Sequence, residues 1–165
     1  MCSSDLWEKF KDKSILVTAS TGRLGMYIVE ALAKADVDFN LNMRIIAHAR
    51  DDKKLNTVLG RTLELPNVSA LIQDINDPIE VDGDGTVDYV FHTAGPASPK
   101  DFTDSPVDTL KAHLTGTMNV LDMAVNAHTS RVIYISTVEI YGENVTDKEF
   151  AEDDMGIMKH ANARA

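Results

Sequence analysis

The stretch Ser14-Ile-Leu-Val-Thr-Ala19-Ser-Thr-Gly22-Arg-Leu-Gly25 decides the fold. It begins as a β-branched apolar run, passes through a small polar turn, and continues into Leu24, Ile28, Ala31 and Leu32 at helical spacing. That pattern predicts a strand, a tight turn and an amphipathic helix. Glycines at 22 and 25 let a backbone approach an anion while the N-terminus of the next helix aims free N–H groups and its positive dipole end at the charge. Thr21, Arg23 and Leu24 lie in the same turn and join the candidate cofactor-binding set. Only the last two glycines of a G-x-x-G-x-x-G dinucleotide fingerprint are present, because Ala19 holds the first place. A methyl group there either crowds a ribose or, if φ is positive, strains the turn by about 1 kcal/mol. An ordinary strand-to-helix turn is the plainer alternative.

Working outward, Met43-Arg-Ile-Ile-Ala-His48 reads as a second strand, followed by a short polar helix around residues 52–59. A third run, Val68-Ser-Ala-Leu-Ile-Gln73, ends at Asp74, and a fourth, Val87-Asp-Tyr-Val-Phe-His-Thr93, is continuously apolar enough to be central and covered on both faces. Between these two, Glu80, Asp82, Asp84 and Gly85 imitate part of a calcium loop, but the twelfth position counted from Glu80 is Phe91 rather than a bidentate Glu, so a hairpin-like turn is expected. Ser105-Pro-Val-Asp108 starts a helix with Ser as N-cap, Pro at the first position and Asp in the first turn. Leu110, Leu114, Met118, Leu121 and Val125 continue it to about Ala127 and are expected to lay one apolar stripe on the sheet. Arg131-Val-Ile-Tyr-Ile-Ser136 makes a fifth strand. Strands alternating with helices specify an α/β class, Rossmann-type, doubly wound parallel sheet with helices on both faces, whose ligands bind beyond the carboxyl ends of the strands.

Composition limits the function classes. The 165 residues amount to about one domain, and 44% hydrophobic with 25% charged residues describe an ordinary globular chain. A net charge of −10 with no basic stripe argues against a nucleic-acid partner. Cys2 stands alone, and none of His48, His92, His113, His128 and His160 shows metal-ligand spacing, so no metal is expected and these histidines are read as structural or exposed. Residues 1–13 mix charge through their apolar positions and leave no signal-peptide core, and no later apolar run reaches membrane-spanning length. A cytoplasmic protein without membrane contact is the expectation.

Chemistry should sit just after the strands. A fingerprint of this kind usually ends the second strand with an acidic residue for the ribose hydroxyls, yet the chain reads His48-Ala49-Arg50-Asp51. Arg50 suits a 2′-phosphate, which makes NADP possible beside NAD, or it is a solvated strand end. Asp74 with Ile75 follows the third strand, Thr93-Ala-Gly-Pro-Ala-Ser-Pro99 the fourth, and Ser136-Thr137-Val-Glu139-Ile-Tyr141 the fifth. Asp74 alone could be a turn former, and Ser136 and Thr137 could serve only backbone groups.

Taken in order, these motifs resemble the NAD-dependent epimerase/dehydratase family, the extended short-chain dehydrogenase/reductases. Pro96-Ala-Ser-Pro99, Pro106-Val-Asp-Thr-Leu-Lys111 and Gly116-Thr-Met-Asn-Val-Leu121 look most like UDP-glucuronate decarboxylases. The resemblance runs from about Lys13 to the last residue and implies the N-terminal cofactor-binding portion of an enzyme that transiently oxidises a nucleotide-sugar at C4. It makes Asp74 the carboxylate meeting the adenine amino group, with Ile75 beside it, and makes Thr93, Ala94, Gly95 and Ser136 cofactor neighbours. Pro96, Ser98 and Thr137 fall at substrate positions, and Thr137 and Glu139 match the catalytic Ser/Thr and acid. Two departures stand out: Val138 replaces the acid of dehydratases, and His113 stands where the family usually has Asn.

The family's catalytic pair is Tyr-x-x-x-Lys, the lysine lowering the tyrosine pKa through its charge. Tyr27, Tyr89, Tyr134 and Tyr141 are followed at the fourth position by Ala31, Thr93, Val138 and Val145, so the pair is absent. The resemblance places Glu152-Asp-Asp-Met-Gly156 and Arg164 just before that tyrosine. The expected organisation is a leader helix over 1–13, an incomplete NAD(P)-binding Rossmann domain over 14–165 truncated after the fifth strand, and no C-terminal substrate domain. Such a chain should be inactive alone. A short non-catalytic dinucleotide-binding sensor or partner module is the alternative, and relatives' use of the helix over 106–127 suggests a possible homodimer.

Overall fold

The computed structural model describes residues 3–83, 85–142 and 149–154. A short helix α1 (Ser3–Trp7) and a 3-10 turn at Glu8–Phe10 lead into β1 (Ser14–Val17). Then come α2 (Arg23–Phe39), β2 (Arg44–Ala49), α3 (Asp52–Leu63), β3 (Val68–Ile72) and β4 (Tyr89–His92). Two helices in succession, α4 (Pro99–Asp104) and α5 (Pro106–Asn126), precede β5 (Arg131–Tyr134), and a 3-10 turn follows at Val138–Tyr141. All pairings are parallel, and the sheet order is β3-β2-β1-β4-β5. The chain moves outward from β1 through β2 to β3, then returns to place β4 on the opposite side of β1. The order therefore reverses between β1 and β4, where an open α/β sheet leaves a crevice at its carboxyl edge.

Strand alternation divides the core in two. Ile15 and Val17 of β1 and Ile45, Ala47 and Ala49 of β2 bury one face against Val29, Leu32 and Leu55 of α2 and α3. Leu16, Ile46, Leu71 and Val90 bury the other against Val120 and Met123 of α5. Trp7 and Phe10 pack on the first cluster, with Phe10 set edge-on to Tyr89 at 5.1 Å between ring centroids. At the amino edge the Asp88 carboxylate accepts from Lys13 Nζ at 3.1 Å and from the Ser14 amide at 2.9 Å, pinning the start of β1 to that of β4. The hydrogen bond to Asp88 raises the pKa of Lys13 above its ordinary value.

Several expectations need correction. Strands do not alternate strictly with helices, since among the described residues the β3–β4 connection contains none. Instead Ile75, Ile79, Val81 and Val87 of that connection pack on the second cluster and cover the sheet as a helix would. Its Asp82–Gly85 turn is no hairpin, because the strands it separates are parallel and not adjacent. Gly83 and Gly85 there adopt φ of 86° and 70°, which suits residues without a Cβ. β4 is flanked on both sides, but Tyr89 and Phe91 remain half-buried and β1 is the central strand. The polar helix α3 runs to Leu63, past the expected end at residue 59.

The two long helices present other faces than their apolar periodicity suggests. α2 buries Gly25, Val29, Leu32, Ala33 and Ala35, while Leu24 and Ala31 face solvent and Ile28 is half-buried. α5 buries Thr109, Gly116, Val120, Met123 and Ala124, while Leu110, Leu114, Met118, Leu121 and Val125 are 47–73% exposed. The reason is close approach. A Cβ on Gly116 would lie 3.0 Å from Ile75 Cγ1, and Asn119 Nδ2 donates to the Ile75 carbonyl at 2.9 Å. Gly116, Thr109 and Asn119 therefore share the sheet side with Val120 and Met123, and the leucine-rich stripe points outward. Ser105 takes the N-cap position of α5, but its side chain makes no capping bond.

Candidate functional site

β1 ends by throwing the chain into a tight turn. Ala19 adopts φ of 50°, so the strained alternative is the one realised, and its carbonyl accepts from the Gly22 amide at 2.8 Å. Gly22 is the N-cap of α2 in extended conformation. A Cβ on Gly25 would come within 2.6 Å of Ala19 O and 3.0 Å of Ser20 Cα, so the helix packs on the turn only because that residue has no side chain. The first N–H groups of α2, carried by Arg23, Leu24 and Gly25, have no intrahelical acceptor and open toward the carboxyl edge of the sheet.

A cleft of about 770 Å³ opens at this edge, on the side where the strand order reverses. Ala19, Thr21, Arg50, Asp74, Ile75, Ala94, Gly95 and Pro96, all singled out from the sequence, line it together. Gly22, Arg23, Leu24, Gly25 and Thr93 are not among the lining residues; they fall in the turn, at the start of α2 and just past β4, with Gly22, Arg23 and Leu24 exposed. Ser136 and Thr137 are exposed past β5, outside the lining. Glu139 falls in the 3-10 turn that follows, but its side chain lies outside the described residues, as do Gly156 and Arg164. Ser98 is also outside the cleft and caps α4 by accepting from the Lys100 amide at 3.2 Å.

Asp74 is a turn former, one carboxylate oxygen accepting from the Asn76 amide and side chain, both at 2.9 Å, and the residue also lines the cleft. At the end of β2, Ala49 is buried and brings no carboxylate, whereas Arg50 and Lys54 both line the cleft. The Asp51 carboxylate is committed to α3 as its N-cap, accepting from the Lys54 amide at 3.0 Å. Sequence reading missed the wall contributed by Asp101, Ser105, Asp108 and Lys111. The Ser105-Pro106 helix start, directly downstream of β4, was the available signal, since a helix that follows a parallel strand begins at the carboxyl edge.

Two buried histidines sit at the base of the site: His48 lines the cleft, and His92 lies outside the lining. His92 bonds Thr18 Oγ1 through Nδ1 at 2.9 Å and Thr117 Oγ1 through Nε2 at 3.1 Å. His48 accepts weakly from the Ala19 amide through Nδ1 at 3.5 Å, and its buried Nε2 has no protein partner. Burial lowers the pKa of each to about 4; Asp74 partly opposes this at His48, and His48 and His113 reinforce it at His92. Both are neutral near pH 7. His113, on α5, bonds the Pro96 carbonyl through Nε2 at 3.0 Å and lies against Gly95, where a Cβ would be 2.3 Å from its Cε1. Among the described residues no three His, Cys, Asp or Glu side chains cluster as metal ligands, and no helix is long and apolar enough to cross a membrane.

Comparison with known proteins agrees with this arrangement. Residues 15–160 match the model of the NAD dependent epimerase/dehydratase family. UDP-glucuronic acid decarboxylase 4 of Arabidopsis thaliana is 30% identical over 136 residues, covering 82% of this chain and 28% of that protein. UDP-glucose 4-epimerase of Rickettsia felis is 29% identical over 129 residues, covering 78% of this chain and 37% of its own length. The chain thus spans about a third of the curated relatives it matches. Among solved structures, the epimerase Mth375 of Methanothermobacter thermautotrophicus superimposes with a TM-score of 0.73 at 23% identity, over 95% of this chain and 45% of the other. UDP-glucuronic acid 4-epimerase from Bacillus cereus, solved in complex with NAD, gives 0.65 at 21% identity, over 87% of this chain and 45% of the other.

Proposed function

This chain belongs to the NAD-dependent epimerase/dehydratase family, and from that premise we propose that it is the N-terminal cofactor-binding portion of an enzyme that transiently oxidises a UDP-sugar at C4, with a UDP-glucuronate decarboxylase-like substrate. The observation that carries this reading is the cleft at the strand-order reversal, where the Ala19 turn, Asp74 and the Ala94–Gly95 segment converge. The residues fit a dinucleotide: Gly25 lets the helix N-terminus close on the turn, Asp74 keeps an oxygen for an adenine amino group, and Ala94 and Gly95 offer a flat wall to a ribose. When bound, the nicotinamide supplies the hydride acceptor. Thr137 would hold the sugar C4 hydroxyl and Glu139 would act as the acid toward substrate.

Tyr-x-x-x-Lys is missing from these 165 residues, so nothing in them can take the C4 hydroxyl proton as the family does. The chain by itself is expected to bind NAD(P) weakly and to form no UDP-xylose from UDP-glucuronate in the presence of NAD. Calorimetry with each cofactor, together with chromatographic analysis of the sugar nucleotide, tests both halves of the proposal. Failure to bind either cofactor, or release of UDP-xylose, would overturn it. A non-catalytic dinucleotide-binding module would share the binding but would give no turnover even in a longer form carrying the downstream sequence.

The end of β2 favours NADP as the tighter ligand. Ala49 brings no carboxylate to repel a 2′-phosphate, and Arg50 and Lys54 bring two cations against the single carboxylate of Asp51, one oxygen of which caps α3. Arg50→Asp is expected to weaken NADP binding by about tenfold or more, the scale of a lost charge-assisted pair, and to leave NAD unchanged or tighter. Parallel titrations with NAD, NADP and 2′,5′-ADP read this preference; equal loss for all three would assign Arg50 no role in it.

We also propose a homodimer through α5. Val107, Leu110, Leu114, Met118, Leu121 and Val125 are exposed at spacings of three and four along the whole helix, a seam suited to a second copy. Leu114→Glu is expected to shift the chain from dimer to monomer in light scattering without changing its circular dichroism. A wild-type chain that is monomeric at high protein concentration would end this proposal.

A further inference from the structure

The atoms around Thr18 fix the protonation state of a histidine that none of the preceding chemistry uses. Thr18 is fully buried at the end of β1, immediately before the Ala19 turn. Its Oγ1 accepts from the Thr93 amide at 3.0 Å and from the Ala94 amide at 3.1 Å. A hydroxyl has two acceptor lone pairs and one proton. With both lone pairs filled, the proton is all that Thr18 can offer to His92 Nδ1, 2.9 Å away. Nδ1 is therefore the bare nitrogen. Nε2 carries the ring proton and donates to Thr117 Oγ1 at 3.1 Å on α5. An imidazolium would set two N–H donors against this network and leave the Nδ1 proton without an acceptor. The tautomer follows from the network rather than from any preference of the ring.

The same bonds join the two strands that border the cleft. Thr93 Oγ1 donates to the Thr18 carbonyl, while the Thr93 and Ala94 amides point inward to Thr18 Oγ1. The chain past β4 must therefore turn so that Ala94, Gly95 and Pro96 face the cleft, and His113 holds the Pro96 carbonyl from the other side. β1 and β4 are neighbours in the sheet, and past the end of β1 this cluster, with the Thr18 amide bonded to the Phe91 carbonyl at 3.0 Å, ties the Ala19 turn to the Ala94–Gly95 wall. We propose that His92 is a positioning residue for cofactor binding: as the Nε2–H tautomer, tied to α5 through Thr117, it orients the Thr18 hydroxyl that holds the phosphate turn and the post-β4 wall in one register.

This inference rests on the reading of the cleft as a dinucleotide site, and its test separates the two. His92→Gln keeps an acceptor and a donor on one planar group, whereas His92→Leu keeps neither and leaves the Thr18 proton unpaired. NADPH and NADH affinities are measured by calorimetry below the melting temperature of each variant, with circular dichroism confirming the fold. His92→Leu is expected to lose about tenfold in affinity and His92→Gln to recover most of that loss. Nitrogen NMR of the labelled wild-type chain is expected to show His92 protonated at Nε2 and bare at Nδ1. Should His92→Leu fail to fold, Thr117→Val, which removes only the distal partner, is expected to lower affinity by about threefold while the fold persists. A folded His92→Leu, or Thr117→Val in its place, that binds like wild type would overturn the positioning role, as would the opposite tautomer. A wild-type chain that binds no dinucleotide would instead overturn the reading of the cleft.

Discussion

Gly25→Ala is expected to lower the stability of the chain by about 1–3 kcal/mol and to abolish measurable NAD(P) binding, the largest effect of any single methyl group in the site. Its Cβ would enter 2.6 Å from Ala19 O and 3.0 Å from both Ala19 C and Ser20 Cα. All three are backbone atoms, so no rotamer change can relieve the contact. Either α2 withdraws from β1 or the turn opens, and both displace the helix N-terminus from the anion it is placed to meet. Ala19 O cannot yield freely, because it also accepts from the Gly22 amide at 2.8 Å.

Ala19→Gly is the counterpart with the opposite sign. At φ of 50° an alanine costs about 1 kcal/mol that glycine avoids, although glycine's larger unfolded-state entropy returns part of that gain. Tighter cofactor binding with a small rise in stability is the expected result. The double variant should remain non-binding, since the Gly25→Ala clash is with the carbonyl of residue 19 and not with its methyl group. Denaturant titration gives the stabilities and calorimetry with NADH gives the affinities. A Gly25→Ala chain that binds like wild type would mean that α2 does not approach the phosphates, and equal or weaker binding by Ala19→Gly would show that the alanine is no handicap.

How far the sequence could be read depended on what each residue reports. Strands were legible because a parallel strand buried on both faces must be apolar along its length, as residues 15–17 and 45–47 are. The site was legible where it rests on chain order: Ala19, Asp74 and Ala94 each follow a strand, and parallel strands bring all their carboxyl ends to one edge. Helix faces were not legible from apolarity. The side of α5 that meets the sheet is set by Gly116, whose missing Cβ leaves room for Ile75, by Thr117 and Asn119, which find hydrogen-bond partners there, and by Val120 and Met123 in the core. Leu114 and Met118 have the stronger apolar signal and point away. The β3–β4 connection was misread for a related reason: Ile75, Ile79 and Val81 cover the sheet without any periodicity that could announce them. His48 and His92 sit among apolar neighbours in the sequence and show no ligand spacing, so only their three-dimensional partners give them a place.

Those two histidines make stability fall as the solution is acidified from pH 6.5 toward 4, before most carboxylates titrate. Burial lowers both pKa values from 6.5 to about 4, so between these values the unfolded chain binds protons that the folded chain refuses. Stability is then complete above pH 6.5, declines as pH drops through the window, and reaches its full loss below about 4. Each group contributes on the order of 3 kcal/mol at that limit, since one pKa unit corresponds to about 1.4 kcal/mol. The two losses are coupled. His48 already disfavours the charged form of His92, so charging either ring in the folded chain makes the other harder to charge. For His92 protonation also breaks the bond from Thr18, whose hydroxyl has only its proton to give. Urea denaturation at half-unit pH steps is expected to show a slope approaching two protons between pH 6 and about 4.5. His92→Gln should remove about half of it, because the amide keeps both hydrogen bonds and does not titrate. Persistence of the full slope in that variant would place the proton uptake elsewhere. A flat profile in the wild type would mean that both rings reach water, against the burial of 2% and 1% relative exposure found for His48 and His92.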